Sequence, residues 1–235
     1  MHVRRGRGHG MESLANVAIY VGDVLVRIGT WPLRLGLFAL VYTLSPFRTP
    51  ATVASALTCY LAVDLLLYWY HRLLHETALG WALHSVHHSG RGFNLSLSVR
   101  ASWLLRAFDD IVYLPLALLG FEPLLVLSLI TWNRSSQYWA HTEMIGRLSW
   151  IDPWLNTPSN HRVHHAVARG GPRANYGSNF MLWDHLFGTY QRETAADARL
   201  DCHAEYGTDA GDLGSNPITI QLAGIHAYVR TRRTL

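Results

Sequence analysis

Long apolar runs dominate the first 150 residues of the chain. The longest uncharged run covers residues 49–63 and continues past a single acid, Asp64, to Tyr70. That length is sufficient for a helix to cross the apolar core of a bilayer. A second uncharged run covers residues 35–47, and the prolines between the two runs indicate a turn. These two runs predict an apolar helical hairpin.

A second pair of apolar segments follows further along the chain. Residues 107–121 and 123–140 are separated by a turn that contains Gly and Pro, and they predict a second hairpin. A shorter apolar segment at residues 13–28 contains Asp23 and Arg27 and is expected to be interfacial, re-entrant or an additional span. The predicted fold class is therefore an all-α integral membrane bundle. A soluble all-α protein with buried core helices is the alternative.

The chain becomes more polar in its C-terminal third, and its pattern divides it into three parts. Residues 1–34 form a basic N-terminal segment that is interfacial or membrane-embedded. Residues 35–192 form the main membrane domain. Residues 193–235 form a polar tail, which we expect to be largely irregular and to end in an amphipathic helix at residues 218–231.

Composition narrows the class of protein further. Charged residues make up 15% of the chain, below the usual ~25%, and with 9 Trp and 11 Tyr this argues against disorder and coiled coil. The net charge is +4, but basic residues are scattered except near the termini and no nucleic-acid motif accompanies them, so no nucleic-acid partner is expected. Basic termini suit an anionic membrane surface. The two cysteines form no C-x-x-C motif and predict no disulfide framework.

Histidine is unusually abundant, with 14 residues, and eight of them occupy three short motifs. The motifs are H-x-x-x-H, formed by His71 and His75, and two copies of H-x-x-H-H, formed by His84, His87 and His88 and by His161, His164 and His165. On a helix these spacings place the imidazoles on one face. One zinc-like site needs three or four protein ligands, so eight histidines predict two metal ions. His141, which stands alone between the motifs, is a predicted ninth ligand.

Polar residues accompany the histidines at helical spacing. Asp64 and Tyr68 lie seven residues before the two histidines of the H-x-x-x-H motif, on the same predicted helical face. An acid in an apolar segment requires a partner, and a ligand imidazole that donates its second N–H would serve, although Asp64 facing a polar cavity is the alternative. Asn133, Gln137 and His141 follow one another at four-residue intervals, so the two amides are expected beside the metal site or between helices.

Five segments together resemble the sterol desaturase / fatty acid hydroxylase superfamily. They are D-L-L-L-Y-W-Y-H-R-L-L-H at 64–75, H-S-V-H-H at 84–88, N-R-S-S-Q-Y-W-A-H-T-E at 133–143, H-R-V-H-H at 161–165, and N-Y-G at 175–177 with W-D-H-L-F-G-T-Y at 183–190. The resemblance covers residues 35–192 and is specific because all the motifs occur together and in order.

The resemblance implies a membrane helical bundle with a cytosolic helical cap that carries the histidine boxes. It also implies a non-haem centre of two iron ions that activates O2 and hydroxylates or desaturates a lipid, such as a sterol, fatty acyl chain, alkylglycerol or carotenoid. By position, the metal ligands would be His71, His75, His84, His87, His88, His141, His161, His164 and His165. The closing motifs place Asn175 and Asp184 beside these ligands. His185 stands where the family commonly has Arg and is a candidate extra ligand.

The expected activity is O2-dependent oxidation of a lipid C–H bond. The chain has no dinucleotide-binding motif, haem attachment motif or cysteine cluster, so electrons are expected from a separate ferredoxin, cytochrome or reductase. Arginines crowd the side on which the histidines emerge, which favours an active site at the cytoplasmic face of a bacterial inner membrane. Two alternatives remain: a zinc-dependent membrane hydrolase that uses the same histidines, and a membrane metal-binding protein without enzymatic activity.

Overall fold

The computed structural model describes residues 5–166, 174–194, 206–208 and 212–233, and all regular elements within these ranges are helical. Much of the predicted irregular tail lies outside the described residues. The helices are α1 (Arg5–Leu44), α2 (Val53–Glu76), α3 (Ala78–His88), α4 (Trp103–Phe108), α5 (Leu114–Leu118), α6 (Pro123–Ser135), α7 (Pro158–His165), α8 (Leu182–Phe187) and α9 (Pro217–Arg233). The all-α prediction is confirmed.

Helix α1 runs without a break through two segments that the sequence analysis separates. The apolar segment at 13–28 and the boundary expected after residue 34 both lie inside this continuous helix. Asp23 and Arg27 do not interrupt the helix, because they pair with each other one turn apart at 3.0 Å. Asp23 also lies 3.2 Å from Arg106 of α4. The predicted first hairpin is thus the pair of long helices α1 and α2.

Within the part of the chain that the structure describes, two helices are long and apolar enough to cross a bilayer: residues Gly10–Leu44 of α1 and the whole of α2. Few residues of either span are buried within the protein. Large apolar side chains instead point outward from both helices, including Leu14, Leu25, Ile28, Leu33, Val53 and Leu57. Such a surface is stable against lipid and unfavourable against water. The chain is an integral membrane protein.

The second predicted hairpin is shorter and more broken than expected. Residues 107–121 are divided among the end of α4, a 3-10 turn at Asp109–Tyr113, and α5. Helix α6 has 13 residues, which is about 20 Å at 1.5 Å per residue and less than the ~30 Å core of a bilayer. It ends at Ser135, so the predicted helix over 123–140 is too long. Helix α6 packs against α1 and α2, and its buried side chains join a core that includes Phe38, Val63 and Tyr113.

The C-terminal helix predicted at residues 218–231 is present as α9. It packs against α3, which carries histidines, and buries Ile220. Gln221 joins α9 to the segment before α4, because its amide donates to the carbonyl of Ala101 at 2.8 Å and its oxygen accepts from the backbone N–H of Trp103 at 2.9 Å. The helix therefore supports the site region from outside.

Gly120 forms the turn between α5 and α6 at a positive φ of 85°, against the loop that joins α1 to α2. A Cβ there would lie 2.7 Å from the backbone of Phe47. We expect Gly120→Ala to lower the free energy of unfolding by about 3 kcal/mol, from left-handed backbone strain and overpacking together. Gly188→Ala is the matched control, since Gly188 has φ 71° but open space around its Cβ position, and about 1 kcal/mol is expected. Thermal or denaturant unfolding measures both variants. An equal loss of unfolding free energy in Gly120→Ala and Gly188→Ala would show that the contact with Phe47 contributes nothing.

Candidate metal centre

The nine histidines singled out from the sequence lie together in two groups. The five-histidine group contains His71, His75, His84, His88 and His164, and the four-histidine group contains His87, His141, His161 and His165. Within each group one ring nitrogen per residue lies within 4.8 Å of the others. The structure therefore brings these nine predicted ligands together in two separate groups.

Helix ends and capping residues bring the histidines together. Thr77 ends α2 and begins α3: its hydroxyl donates to the carbonyl of Leu73 at 2.7 Å and accepts from the N–H of Gly80 at 3.1 Å. This turn folds α3 back onto the end of α2, so the second histidine motif faces the first. Thr157 caps α7 and also donates to Asp152 at 2.6 Å, which fixes where the third motif begins. His141 lies just after a 3-10 turn that follows α6.

Three imidazoles are oriented by hydrogen bonds from Nδ1 to backbone carbonyls. The pairs are His71 with Tyr176 at 3.0 Å, His87 with Arg100 at 3.0 Å, and His164 with Ala174 at 2.9 Å. A carbonyl oxygen can only accept, so Nδ1 must carry the proton in each ring. In a neutral imidazole the other nitrogen, Nε2, is then an unprotonated lone pair. These three rings are held in the tautomer that binds metal through Nε2.

The Nε2 atoms point at one another inside each group. Close Nε2 pairs are His71–His84 at 3.1 Å, His71–His75 at 3.3 Å, His87–His141 at 3.3 Å, His141–His161 at 2.8 Å and His161–His165 at 3.2 Å. The buried Nε2 atoms of His88 and His164 have no hydrogen-bond partner. In each pair one nitrogen must carry a proton to bond to the other, whereas a bound cation would let every Nε2 of a group face it as a lone pair. The donor set therefore fits two metal ions that accept nitrogen ligands.

Burial keeps the rings of the helical cap neutral. It is the largest cause that lowers the pKa of His141 to about 3, and neighbouring imidazoles add to it. Burial likewise lowers the pKa well below the usual value for His84, His87, His88, His161, His164 and His165. Neutral imidazole is the form that coordinates metal, so at neutral pH these residues are ready to bind without losing protons.

Asp64 does not contact the histidines, contrary to the prediction that a ligand imidazole is its partner. Its carboxylate accepts from the Asn133 amide and the Trp183 indole, both at 2.8 Å, and from the N–H of Asn179 at 3.0 Å. Asn133 belongs to α6, whereas Asn179 in the loop before α8 and Trp183 in α8 lie more than 110 residues away in sequence. Asp64 thus fastens this loop and α6 to α2 beside the metal centre.

Asp184 and Asn175, expected beside the ligands, hold the segment that supplies the carbonyls of Ala174 and Tyr176. Asp184 accepts from the N–H of Tyr176 at 2.8 Å and of Gly177 at 2.7 Å. Asn175 adopts a positive φ of 58°, and its amide donates to the carbonyl of Asn160 in α7 at 3.0 Å. Both residues therefore orient histidines through the backbone rather than by direct contact.

The side chains of Tyr68 and Gln137 lie near the centre and, within the described residues, form no hydrogen bond with its imidazole rings. The buried Tyr68 hydroxyl pairs with Thr189 at 2.9 Å. Gln137 lies two residues after the end of α6, and its side-chain amide donates to the carbonyl of Asn133 at 3.1 Å. The same side chain lines a cavity beside the histidines. Their placement beside the site is as expected for residues between helices.

His185 lies in neither histidine group. Its Nε2 pairs with the carbonyl of Pro153 at 2.9 Å, and its ring stacks on Tyr190 at a centroid distance of 4.1 Å. The structure therefore gives no support to His185 as an extra ligand, and it leaves this histidine as an internal control for the others.

Arg100 is a residue of the centre that the sequence analysis missed. Its side chain is 1% exposed, and it donates to the carbonyl of Val86 at 2.9 Å, to Ser89 at 2.7 Å and to the Asn16 amide oxygen at 3.0 Å. Burial lowers the pKa of Arg100 to about 10. Because its own carbonyl accepts from His87, Arg100 connects α1 to the four-histidine group.

A cavity of about 130 Å³ opens onto both histidine groups. Leu67, Leu74 and Leu105 form apolar parts of its wall, while Arg106, Asp109 and Arg134 form a charged part. His71 and His84 reach it from one group, and His87, His141 and His161 from the other. An apolar chain in this cavity would lie against both candidate metal sites at once.

Comparisons with known proteins agree with this geometry. The sequence pattern of the fatty acid hydroxylase family matches residues 56–189. Alkylglycerol monooxygenase of Homo sapiens is 42% identical over 149 residues, which is 63% of this chain and 32% of the relative, and that of Danio rerio is 41% identical over 135 residues. Ornithine lipid hydroxylase OlsE of Rhizobium tropici is 30% identical over 134 residues, or 53% of this chain and 38% of the relative.

The chain spans about a third of the length of the curated relatives it matches. No solved structure matches it. The family pattern covers more than half of the chain and includes all nine grouped histidines. The chain belongs to the fatty acid hydroxylase family.

Proposed function

We propose that this chain is an O2-dependent oxidoreductase that hydroxylates a C–H bond of a membrane lipid with two iron ions. The observation that carries the proposal is the pair of all-histidine groups that face one cavity in a membrane protein. The relatives' names, alkylglycerol monooxygenase and ornithine lipid hydroxylase, support oxygenation of a lipid. Desaturation of the same chain is the related outcome that the family resemblance also implies.

The five-histidine group would hold one iron ion and the four-histidine group the other. Bound iron would supply the activation of O2 and the cleavage of the C–H bond. Fewer protein ligands in the second group leave it more room for a non-protein ligand. The carbonyls of Tyr176, Ala174 and Arg100 keep three of the rings in the binding tautomer.

The remaining residues position the substrate and exclude water. Leu67, Leu74 and Leu105 give an aliphatic chain an apolar wall next to His71 and His87. Burying a methylene group contributes about 0.8 kcal/mol, so a few chain carbons suffice to hold the substrate against the histidines. The apolar part of the wall also limits water at a carbon that packs against it.

Electrons would reach the centre from a separate donor such as a ferredoxin, cytochrome or reductase. The two spans, α1 and α2, would place the histidine-bearing ends of α2 and α3 at the cytoplasmic face of a bacterial inner membrane, where such donors are found. Residues 35–192 would form the catalytic unit, with the start of α1 and the tail at its edges.

The test supplies purified protein with an alkylglycerol or an ornithine lipid, ¹⁸O2, and reduced ferredoxin with its reductase. We expect ¹⁸O in the lipid product, and turnover that stalls after at most one cycle when the donor is omitted. Product oxygen derived from water, or sustained turnover without any donor, would contradict the proposal.

A further inference from the structure

A network of charged residues lies against the cavity, inside the helical bundle. Arg134 of α6 lies 3.1 Å from Asp109 and 2.8 Å from Asp110, both in the 3-10 turn after α4. Arg106 lies 3.2 Å from Asp109. Asp110 also pairs with Arg34, and this ion pair connects the network to the membrane-spanning helix α1. Charged side chains at such a position are costly and usually functional.

The network carries more positive than negative charge. Its described members are four arginines and three aspartates: Arg27, Arg34, Arg106, Arg134, Asp23, Asp109 and Asp110. The network therefore has a net charge of +1, although each of its arginines contacts at least one carboxylate. An unbalanced charge of this kind is stabilised by an anion from outside the chain.

Arg106 is the member that can take that anion. Its Nε contacts Asp23 and its Nη1 contacts Asp109, each at 3.2 Å, while Nη2 has no hydrogen bond within the described part of the chain. Arg106 lines the cavity, as do Arg134 and Gln137. Arg27 belongs to the same network but does not line the cavity. A planar guanidinium with a free N–H is well suited to phosphate or carboxylate oxygens.

We propose that Arg106, held in place by Asp23 and Asp109, binds the anionic headgroup of the lipid substrate inside the cavity that faces both histidine groups. This inference rests on the proposed function and adds the substrate class to it: of the two lipids in that test, it favours the ornithine lipid, which carries a carboxylate, over the uncharged alkylglycerol. A phosphate or carboxylate is the group recognised, and the apolar wall takes the first part of the attached chain. Because the cavity is only about 130 Å³, the carbon that is oxidised lies close to the headgroup rather than far along the chain.

Lipid binding without O2 or electrons tests this directly. The probes are lysophosphatidic acid and the monoacylglycerol with the same acyl chain, titrated into the full-length protein in neutral detergent and followed by native mass spectrometry. We expect the phosphate-bearing lipid to bind about tenfold more tightly, as a charge-assisted hydrogen bond predicts. Inorganic phosphate alone is expected to bind far more weakly, and binding as tight as that of the lipid would overturn a lipid headgroup as the ligand.

Variants of the network separate a local contact from a general charge effect. Arg106→Gln should reduce the preference for the phosphate lipid to about twofold or less, whereas Arg106→Lys should keep part of it. Arg27→Gln lowers the net charge of the same network without removing an N–H group that faces the cavity, so it should reduce the preference clearly less than Arg106→Gln does. An equal loss in Arg106→Gln and Arg27→Gln, or no preference in the native protein, would overturn the proposal.

Photocrosslinking of the native protein gives a second measurement that needs no variant to fold. A lysophosphatidic acid with a diazirine next to its headgroup should label the segment 98–109 or 134–141. Labelling confined to other segments would also overturn the proposal. If the lipid preference is found and no oxygen is incorporated, the proposed function fails and the binding site stands. If oxygen is incorporated but no headgroup preference is found, the headgroup site fails and the proposed function stands.

Discussion

His164→Ala is expected to reduce bound metal from two ions to about one and to lower lipid hydroxylation by more than about a hundredfold. His164 is fully buried, and its Nδ1 donates to the carbonyl of Ala174 at 2.9 Å, so the Nε2 lone pair has no role except to bind a cation. Loss of residues that merely orient metal ligands already costs 10–100-fold, and loss of a ligand costs more. Metal analysis and turnover of the purified variant check both numbers.

His185→Ala is the matched control for this experiment. His185 is also a histidine of the family's closing motifs, but it bonds to the carbonyl of Pro153 and lies in neither group. We expect it to retain both metal ions and activity within about twofold, since surface-facing changes cost little. Retention of two metals in His164→Ala, or an equal loss in both variants, would contradict the assignment of the five-histidine group.

The second large effect is expected from Asp64→Ala. Removing this buried carboxylate leaves the donors of Asn133, Asn179 and Trp183 without their acceptor. Unsatisfied buried donors and a lost charged partner together cost about 3–5 kcal/mol of unfolding free energy. The loop that Asp64 holds leads back to Tyr176, whose carbonyl orients His71, so metal in the five-histidine group should be lost as well.

Thermal unfolding in detergent and metal content measure the two consequences of Asp64→Ala separately. Asp212→Ala is the control, because the Asp212 side chain is 70% exposed, lies 3.6 Å from Arg91 and otherwise accepts from the N–H of Gly214 at 2.8 Å in an exposed turn. An exposed pair of this kind contributes little, so no change in stability or metal content is expected. A stable Asp64→Ala protein with two metals would show that the loop is positioned by other contacts.

The histidine centre was the most predictable part of the molecule from sequence. Spacings of three and four residues dictate which imidazoles share a helix face, and α2, α3 and α7 keep those spacings. What spacing could not reveal is the partition into five and four. His87 and His88 are adjacent in sequence, and because neighbouring residues on a helix point in directions about 100° apart, they join different groups.

The helix boundaries were predicted less well, for identifiable physical reasons. The charges of Asp23 and Arg27 suggest that an apolar helix is interrupted there. The two side chains pair one turn apart, and Asp23 also pairs with Arg106, so the free-energy cost of placing these charges in an apolar helix is reduced. Hydrophobicity likewise does not reveal that residues 109–113 turn as a 3-10 helix. That turn follows from ion pairs to Arg134, a contact between distant segments.

Residues that act through the backbone left almost no sequence signal. The carbonyls of Ala174 and Arg100 orient two histidines, and any residue type has a carbonyl. Asp64 was correctly singled out as an acid that needs a partner, but its donors come from α6, from α8 and from the loop before α8, all far along the chain. The arginine network beside the cavity could not be predicted from the sequence either, because its arginines come from α1, α4 and α6, which are far apart along the chain.

Metal content of the purified native protein in mild detergent, combined with Mössbauer spectroscopy, tests the central claim most directly. We expect two iron ions per chain, with a spectrum of two coupled high-spin sites rich in nitrogen ligands. Two zinc ions, together with activity that is independent of O2, would contradict the proposed oxygenase and favour hydrolytic chemistry at the same histidines. Failure to bind any metal after anaerobic reconstitution with ferrous iron would contradict the metal centre itself.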